Sequence, residues 1–308
     1  MLKRVLADRT LAAGEPVVAM VSGGRDSVCL LDLATRASGA AAVTALHVNY
    51  GLRADADADQ RHCAELCERL GVELVVERPV RPEGPGNLQA WARDRRYAAA
   101  ARLAEEGGAS IVTGHTADDQ VETILYRLAS SPSRRALLGM RQRDGRLVRP
   151  LLPFTRAETT AYCERRGLAW RDDPSNAEPT FARNRVRNGL LPQLATIHPA
   201  AAANVLRTAE LLRAEAEVLD SLVAAEVGAG PGSPRNTVSL ERFAELHPAL
   251  RRLVLQRLAD GAAGRPVPGA ARFANQVAGL RRTGIARLDL GGGVRAVVER
   301  GVLRAERG

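Results

Sequence analysis

Among its 44 basic residues the chain carries one lysine, Lys3; the rest are arginines. A Walker phosphate loop needs a lysine after its glycine-rich turn, so that route to nucleotide binding is closed. Cysteine is also scarce: Cys29, Cys63, Cys67 and Cys163 are the four, and none forms a Cys-x-x-Cys pair. This excludes zinc and iron–sulfur spacings. Cys63 and Cys67 fall on one face of a predicted helix with Leu66 and Leu70, where they read as core residues. No apolar run is long enough to span a bilayer and no signal peptide opens the chain, so the expectation is a cytoplasmic protein without membrane association. Internal repeats are absent, and low complexity is confined to alanine-rich helix faces.

What is present describes a folded protein. The 308 residues allow two domains, and 45% are hydrophobic. The net charge of +9 points to a polyanionic partner. Arginine suits phosphate because its planar fork donates two parallel hydrogen bonds. Abundant arginine, alanine and glycine also follow from GC-rich coding, so charge alone does not specify nucleic acid.

The most informative stretch is Ser22-Gly23-Gly24-Arg25-Asp26-Ser27. Val17 to Val21 ahead of it reads as a buried strand, and apolar residues at helical spacing follow from Val28. Two glycines and two serines therefore sit at a strand-to-helix turn. There the first helical amides lack partners and the helix dipole adds positive charge, which suits phosphate or pyrophosphate. Serine and glycine also punctuate ordinary turns.

Strand-like and helix-like segments alternate through the first half. Strands are predicted at Val17–Val21, Val43–Val48, Val72–Val76, Ile111–Thr113 and Leu147–Leu152. Helices are predicted at Ser27–Thr35, Asp55–Leu70, from an Asn87 cap to Glu106, at Asp118–Leu128, and from a Thr155–Glu158 capping box to Arg166. This alternation implies an α/β class: a doubly wound, mostly parallel sheet covered by helices on both faces. Ligands of such sheets bind beyond the C-terminal strand ends. Helices are expected at 198–227, 239–260 and 268–282, then strands and hairpin turns around Gly291-Gly292-Gly293. The predicted domains are 1–197 and a smaller, mainly helical 198–308.

Further polar clusters lie at the predicted strand ends. His47-Val48-Asn49-Tyr50-Gly51-Leu52-Arg53 closes the second strand. Arg93 and Arg96 share a helix face, where they either neutralise phosphate charge or form a solvated basic surface. Gly114-His115-Thr116-Ala117-Asp118-Asp119-Gln120-Val121-Glu122-Thr123 follows the fourth strand. Asp119 and Glu122, three apart, suit Mg²⁺ or an ammonium group, although acidic residues also favour any helix first turn. Last come Asp172-Asp173-Pro174-Ser175-Asn176 and Phe181-Ala182-Arg183-Asn184-Arg185-Val186-Arg187. Arg183 and Arg187 share a face; these arginines suit a carboxylate or a nucleic-acid backbone.

In this order the motifs, with Ala92-Arg93-Asp94-Arg95-Arg96-Tyr97, resemble those of the tRNA(Ile)-lysidine synthetases, within the PP-loop ATP pyrophosphatase superfamily. The match covers about residues 15–195. The resemblance implies a PP-loop, adenine nucleotide α-hydrolase-like fold and an AMP-forming carbon–nitrogen ligase. ATP adenylates the C2 oxygen of the wobble cytidine in a CAU anticodon, and free L-lysine displaces AMP to give lysidine. The implied cofactors are ATP and Mg²⁺; the implied partners are tRNA(Ile) with a CAU anticodon and lysine, with a homodimer left open. By position, Ser22, Gly23, Gly24, Arg25, Asp26 and Ser27 hold pyrophosphate, with Asp26 also near Mg²⁺. His47, Val48 and His115 lie near the nucleotide. Arg93 and Arg96 meet ATP phosphate or tRNA, and are counted with Asp26 and Asp119 as catalytic. Asp119 and Glu122 hold lysine, and one of Arg183, Arg185 and Arg187 its carboxylate. Three places depart from the pattern: Tyr50 in place of His, Ala129 to Arg135 in place of a glycine-rich loop, and Asn188-Gly189 in place of His-Glu. A tRNA thiolase of the same superfamily is the runner-up, disfavoured by the missing cysteine pairs. A non-catalytic nucleotide- or RNA-binding module is a third reading.

Overall fold

The computed structural model describes residues 1–52, 54–80, 87–131, 134–171, 182–228 and 236–308. Two compact units result, Met1–Glu210 and Leu211–Gly308.

In the first unit α1 (Leu2–Ala7) precedes β1 (Val17–Met20), α2 (Arg25–Ser38) and β2 (Val43–Val48). Then come α3 (Ala56–Leu70), β3 (Glu73–Glu77), α4 (Leu88–Glu106), β4 (Ser110–Val112), α5 (Ala117–Ser130) and α6 (Arg134–Leu137). A short antiparallel pair, β5 (Arg143–Asp144) and β6 (Leu147–Val148), leads to α7 (Arg156–Arg166). After it, α8 (Ala182–Arg185) runs through a π-helical turn, Val186–Leu190, into α9 (Leu191–Ile197). Pro192 has no N–H to return to the preceding turn, and such widened turns accommodate that loss.

The sheet order is β3-β2-β1-β4-β6-β5, parallel except for the last pair. Side chains of a strand alternate between faces. On β1 and just beyond, Val17, Ala19 and Val21 join one core with α2, α3 and α7, while Val18 and Met20 join another with α4. Burial on both faces explains the unbroken apolar run that marks this strand. The chain winds outward from β1 through β2 to β3, and returns to place β4 on the other flank of β1. The strand order therefore switches between β1 and β4, which opens a crevice beyond their C-terminal ends.

Several elements of the first unit differ from expectation. The strand predicted over Leu147–Leu152 stops at Val148, because Pro150 lacks an amide and Leu152 turns back to donate to the Arg149 carbonyl. α1 has no counterpart in the expected pattern; it is a six-residue helix with only Val5 buried, too short to show helical periodicity.

The second unit takes in the C-terminal part of α10 (Ala201–Glu226), then β7 (Thr237–Ser239), α11 (Leu240–Glu245), α12 (Pro248–Ala263), a 3₁₀ turn Ala270–Phe273 and α13 (Ala274–Ala278). The strands β8 (Ile285–Gly291), β9 (Val294–Glu299) and β10 (Val302–Arg307) finish it. Their antiparallel order is β7-β10-β9-β8. Both hairpins use two residues with positive φ, Gly292-Gly293 and Arg300-Gly301, the geometry that matches strand twist. The helix expected over 239–260 is two helices, since Pro248 starts a new one. The one expected over 268–282 ends at Ala278, ahead of Gly279. Phe243, Leu255, Leu258, Val267, Leu290 and Leu303 centre a core of this unit's own.

Candidate active site

The turn after β1 brings the motif to the crevice. Gly23 has φ +83°, and a Cβ there would press at 3.4 Å on Cys63 and His62. Only glycine fits that backbone without strain. Gly24 caps α2, leaving the first amides of the helix without helical acceptors. The two serines brace the loop: Ser27 Oγ donates to the Gly24 carbonyl (2.8 Å) and accepts from the Ser22 amide (3.1 Å). Arg171 closes the other side, its amide donating to the Gly23 carbonyl at 3.0 Å.

Gly114, after β4, lies against this turn. A Cβ on it would stand 3.0 Å from the Asp26 carbonyl, so glycine is what lets the two strand ends meet. Asp26 accepts from Arg25 Nε (3.1 Å) and from the Thr159 hydroxyl (2.6 Å).

His47 is buried at the end of β2. Its Nδ1 lies 3.0 Å from the Val21 carbonyl, which can only accept, so Nδ1 carries the proton. Nε2 is then a lone-pair acceptor, buried and without a donor among the described residues. Burial lowers the His47 pKa against the opposing pull of the Val21 carbonyl. Val48 points to the other face of the sheet, against the α4 core, so only its backbone can share a ligand with His47. Tyr50 donates to the Ala92 carbonyl (2.8 Å) and packs edge-on against Trp91 at 5.8 Å, tying β2 to the start of α4.

Beyond β4 lies a charge cluster whose centre no sequence motif marks. Arg156, in the first turn of α7, donates through Nη2 to Asp119 (2.7 Å) and through Nη1 to Glu122 (3.0 Å). Its amide donates to Asp118 (2.8 Å), and its Nε is 4.0 Å from Asp26. Arg187 adds a bidentate pair to Glu122, at 2.7 and 3.1 Å, and approaches Asp119 at 3.7 Å. Asp119 also accepts from the Thr116 amide and hydroxyl, both at 2.9 Å. Burial alone would raise its pKa, but Arg156, the Thr116 amide and His115 outweigh burial and hold it below the usual carboxylate value. Both predicted carboxylates thus sit together, each with an arginine already bound.

His115 accepts or donates at 2.8 Å with Thr113 Oγ1. Burial, only partly offset by Asp119 and reinforced by Arg149, Arg183 and Arg96, lowers its pKa to about 4. Arg93 and Arg96 come from α4, their guanidiniums 4.7 and 5.8 Å from the Tyr97 ring centre. Arg183 and Arg185 are exposed on α8 while Arg187 turns inward. Arg53 and the Asp172 to Phe181 segment lie outside the described residues, as do Pro132 and Ser133 of the altered loop. All four cysteines are buried, and burial pushes Cys63 up to about 12 and Cys67 up to about 11.

The fold and this crevice define an α/β protein with a glycine- and serine-rich turn at the switch point of its parallel sheet. The chain belongs to the PP-loop domain family, whose pattern matches residues 2–194. It is 40% identical over 264 residues to the tRNA(Ile)-lysidine synthase of Thermus thermophilus, a match covering 83% of this chain and 51% of that protein. The enzyme of the same name from Azoarcus sp. is 37% identical over 298 residues, covering 93% of this chain and 65% of the relative. The chain therefore spans roughly half to two thirds of the length of these relatives. Among solved structures, the U34-tRNA thiolase NcsA from Methanococcus maripaludis shares the fold, with a TM-score of 0.58 at 19% identity over 69% of this chain and 77% of that one.

Proposed function

We propose that this protein joins lysine to C2 of the wobble cytidine in the CAU anticodon of tRNA(Ile), through an adenylated intermediate, and so changes decoding from AUG to AUA. The observation that carries the reading is the pairing of two sites at one sheet switch point: the Ser22 to Ser27 turn, and the carboxylates of half-buried Asp119 and buried Glu122 beside it. The likeness to named lysidine synthases at about 40% identity supports the same conclusion.

The residues present fit ATP. The first amides of α2, which lack helical acceptors, the glycine cradle at Gly23 and the Nε2 of His47, without a donor among the described residues, suit, in turn, phosphate oxygens, close backbone approach and a purine amino group. Asp26 is the residue for Mg²⁺, which commonly takes one or two carboxylates and completes its shell with phosphate and water. ATP supplies an activated phosphoryl group: the cytidine O2 attacks the α-phosphorus and pyrophosphate leaves. An amide-like oxygen is a poor leaving group, and transfer of AMP onto it makes it a good one. The lysine ε-ammonium gives up a proton to solvent or to an adjacent carboxylate, the freed nitrogen bonds to C2, the C2–O bond breaks, and AMP departs with that oxygen.

Asp119 and Glu122 are the residues for the lysine ammonium. Arg156 favours the ionised state of Asp119, the one an ammonium requires. Arg183 and Arg185, exposed on α8, are the candidates for the lysine carboxylate, with Arg187 also engaged by Glu122. No covalent enzyme nucleophile is required, and the buried, high-pKa Cys63 and Cys67 do not resemble one.

Purified protein should incorporate labelled lysine into CAU-bearing tRNA while converting ATP to AMP and pyrophosphate. Asp119→Ala should impair lysine transfer more than adenylate formation; equal loss of both steps would refute its assignment to lysine.

A further inference from the structure

Next to the paired arginines, the first unit holds a second set that meets no carboxylate within ion-pair distance among the described residues: Arg93, Arg96, Arg127, Arg149 and Arg183. Two of them are fixed by one short segment. Arg149, buried after β6, donates from Nη1 to the Arg141 carbonyl at 2.6 Å, and Arg127, on α5, donates from Nη1 to the Gly139 carbonyl at 3.0 Å. Carbonyls two residues apart thus hold two guanidiniums on one strip of backbone. The strip is itself pinned. Gln120 donates to the Met140 carbonyl (2.9 Å) and accepts from its amide (2.6 Å), and Gly139, at φ +63°, has no room for a Cβ beside that glutamine.

α4 supplies the other partners. Arg93 and Arg96 both lie over Tyr97. Arg149 Nε, Arg96 Nε and the Tyr97 hydroxyl are all buried without a hydrogen-bond partner among the described residues. The sets share one electrostatic field: the Arg127 pKa is lowered first by burial and then by Arg183 and Arg93. Arg149 is lowered by burial, with Arg93 and Arg127 adding to the effect and Tyr97 and Asp144 opposing it. Three unsatisfied donors among crowded cations cost stability unless an anion completes them. A phosphate suits several guanidinium forks at once, since its oxygens accept from many directions.

We infer that Arg127 and Arg149, with Arg96 and Tyr97, form a phosphate-binding site separate from the pyrophosphate turn. The occupant is a phosphodiester of the bound RNA strand or a phosphate of ATP. The choice between these sources rests on the proposed tRNA and ATP substrates, whereas the site itself does not.

The test measures binding, not lysine transfer, so that its failure and the failure of the proposed reaction are told apart. Full-length wild type, Arg127→Gln, Arg149→Lys and Tyr97→Phe are titrated with a fluorescent CAU-anticodon transcript at several salt concentrations. The same proteins are titrated with a non-hydrolysable ATP analogue, and their unliganded melting temperatures are recorded. At least a tenfold loss of affinity for one ligand is expected in Arg127→Gln, with its melting temperature unchanged. Loss confined to the transcript, with a salt slope shallower by about one, assigns the site to an RNA phosphate. Loss confined to the analogue assigns it to ATP. Unchanged affinity for both, or no binding of either by wild type, overturns the proposal. If Arg149→Lys fails to fold, Arg127→Gln and Tyr97→Phe decide alone.

Discussion

Arg156 gathers much of the charge at the candidate site: its side chain touches Asp119 and Glu122 and approaches Asp26, and its amide donates to Asp118. Its removal leaves Asp119 with hydroxyl and amide partners and a distant Arg187, and leaves the buried Glu122 with Arg187 alone. Arg156→Ala should cost about 2 kcal/mol in urea unfolding, since hydrogen bonds to two carboxylates are lost; no loss would show that the cluster is solvated. His115 gives a pH signature. The unfolded chain takes up its proton near pH 6.5, but the native site waits until about 4. Between these values the unfolded state binds more protons, so stability falls as pH drops from 6.5 to 4. Urea unfolding across this range should show the decline, and NMR should find no His115 titration near pH 6.5. Asp119 and Glu122 are legible in the sequence because they stand three apart behind Gly-His-Thr. Arg156 is not. It sits inside the Thr155–Glu158 capping box, which explains a helix start without it, and its partners Glu122 and Asp119 lie 34 and 37 residues away along the chain. Arg127 and Arg149 escape for a similar reason: what marks them is a shared backbone strip that no spacing reveals.

At the scale of elements, the site depends on how closely the turn after β1 meets the turn after β4. Gly114→Ala places a methyl group 3.0 Å from the Asp26 carbonyl, backbone that cannot swing aside as a side chain can. We expect at least a tenfold rise in the ATP dissociation constant by calorimetry, with the far-ultraviolet spectrum unchanged; wild-type affinity would show that the loops have slack. A buried tie holds the flank of this site. Asp32 on α2, fully buried, accepts from Tyr162 and Arg166 of α7, and Arg36 donates to Tyr162 at 3.0 Å. The β1, β2, α3 and α5 segments can be read from the sequence by their apolar pattern, and α4 by its Asn87 cap. β6 reads too long because Leu151 and Leu152 are buried, like strand residues, although Pro150 forbids the ladder. β7 leaves no sequence signal because three residues carry no period.

For the molecule as a whole, the first unit contains every described residue of the proposed chemistry, and the second has its own core and sheet. Among the described residues no helix is long and apolar enough to cross a membrane. The pyrophosphate turn and the Asp119–Glu122 carboxylates are proposed to serve one two-step ligation, and incubating the protein with ATP, labelled lysine and CAU-bearing tRNA puts that pairing to the test. The expected result is lysine on the wobble cytidine, with one AMP and one pyrophosphate formed per lysine joined; ADP as product, sulfur in place of lysine, or an unmodified anticodon would contradict it.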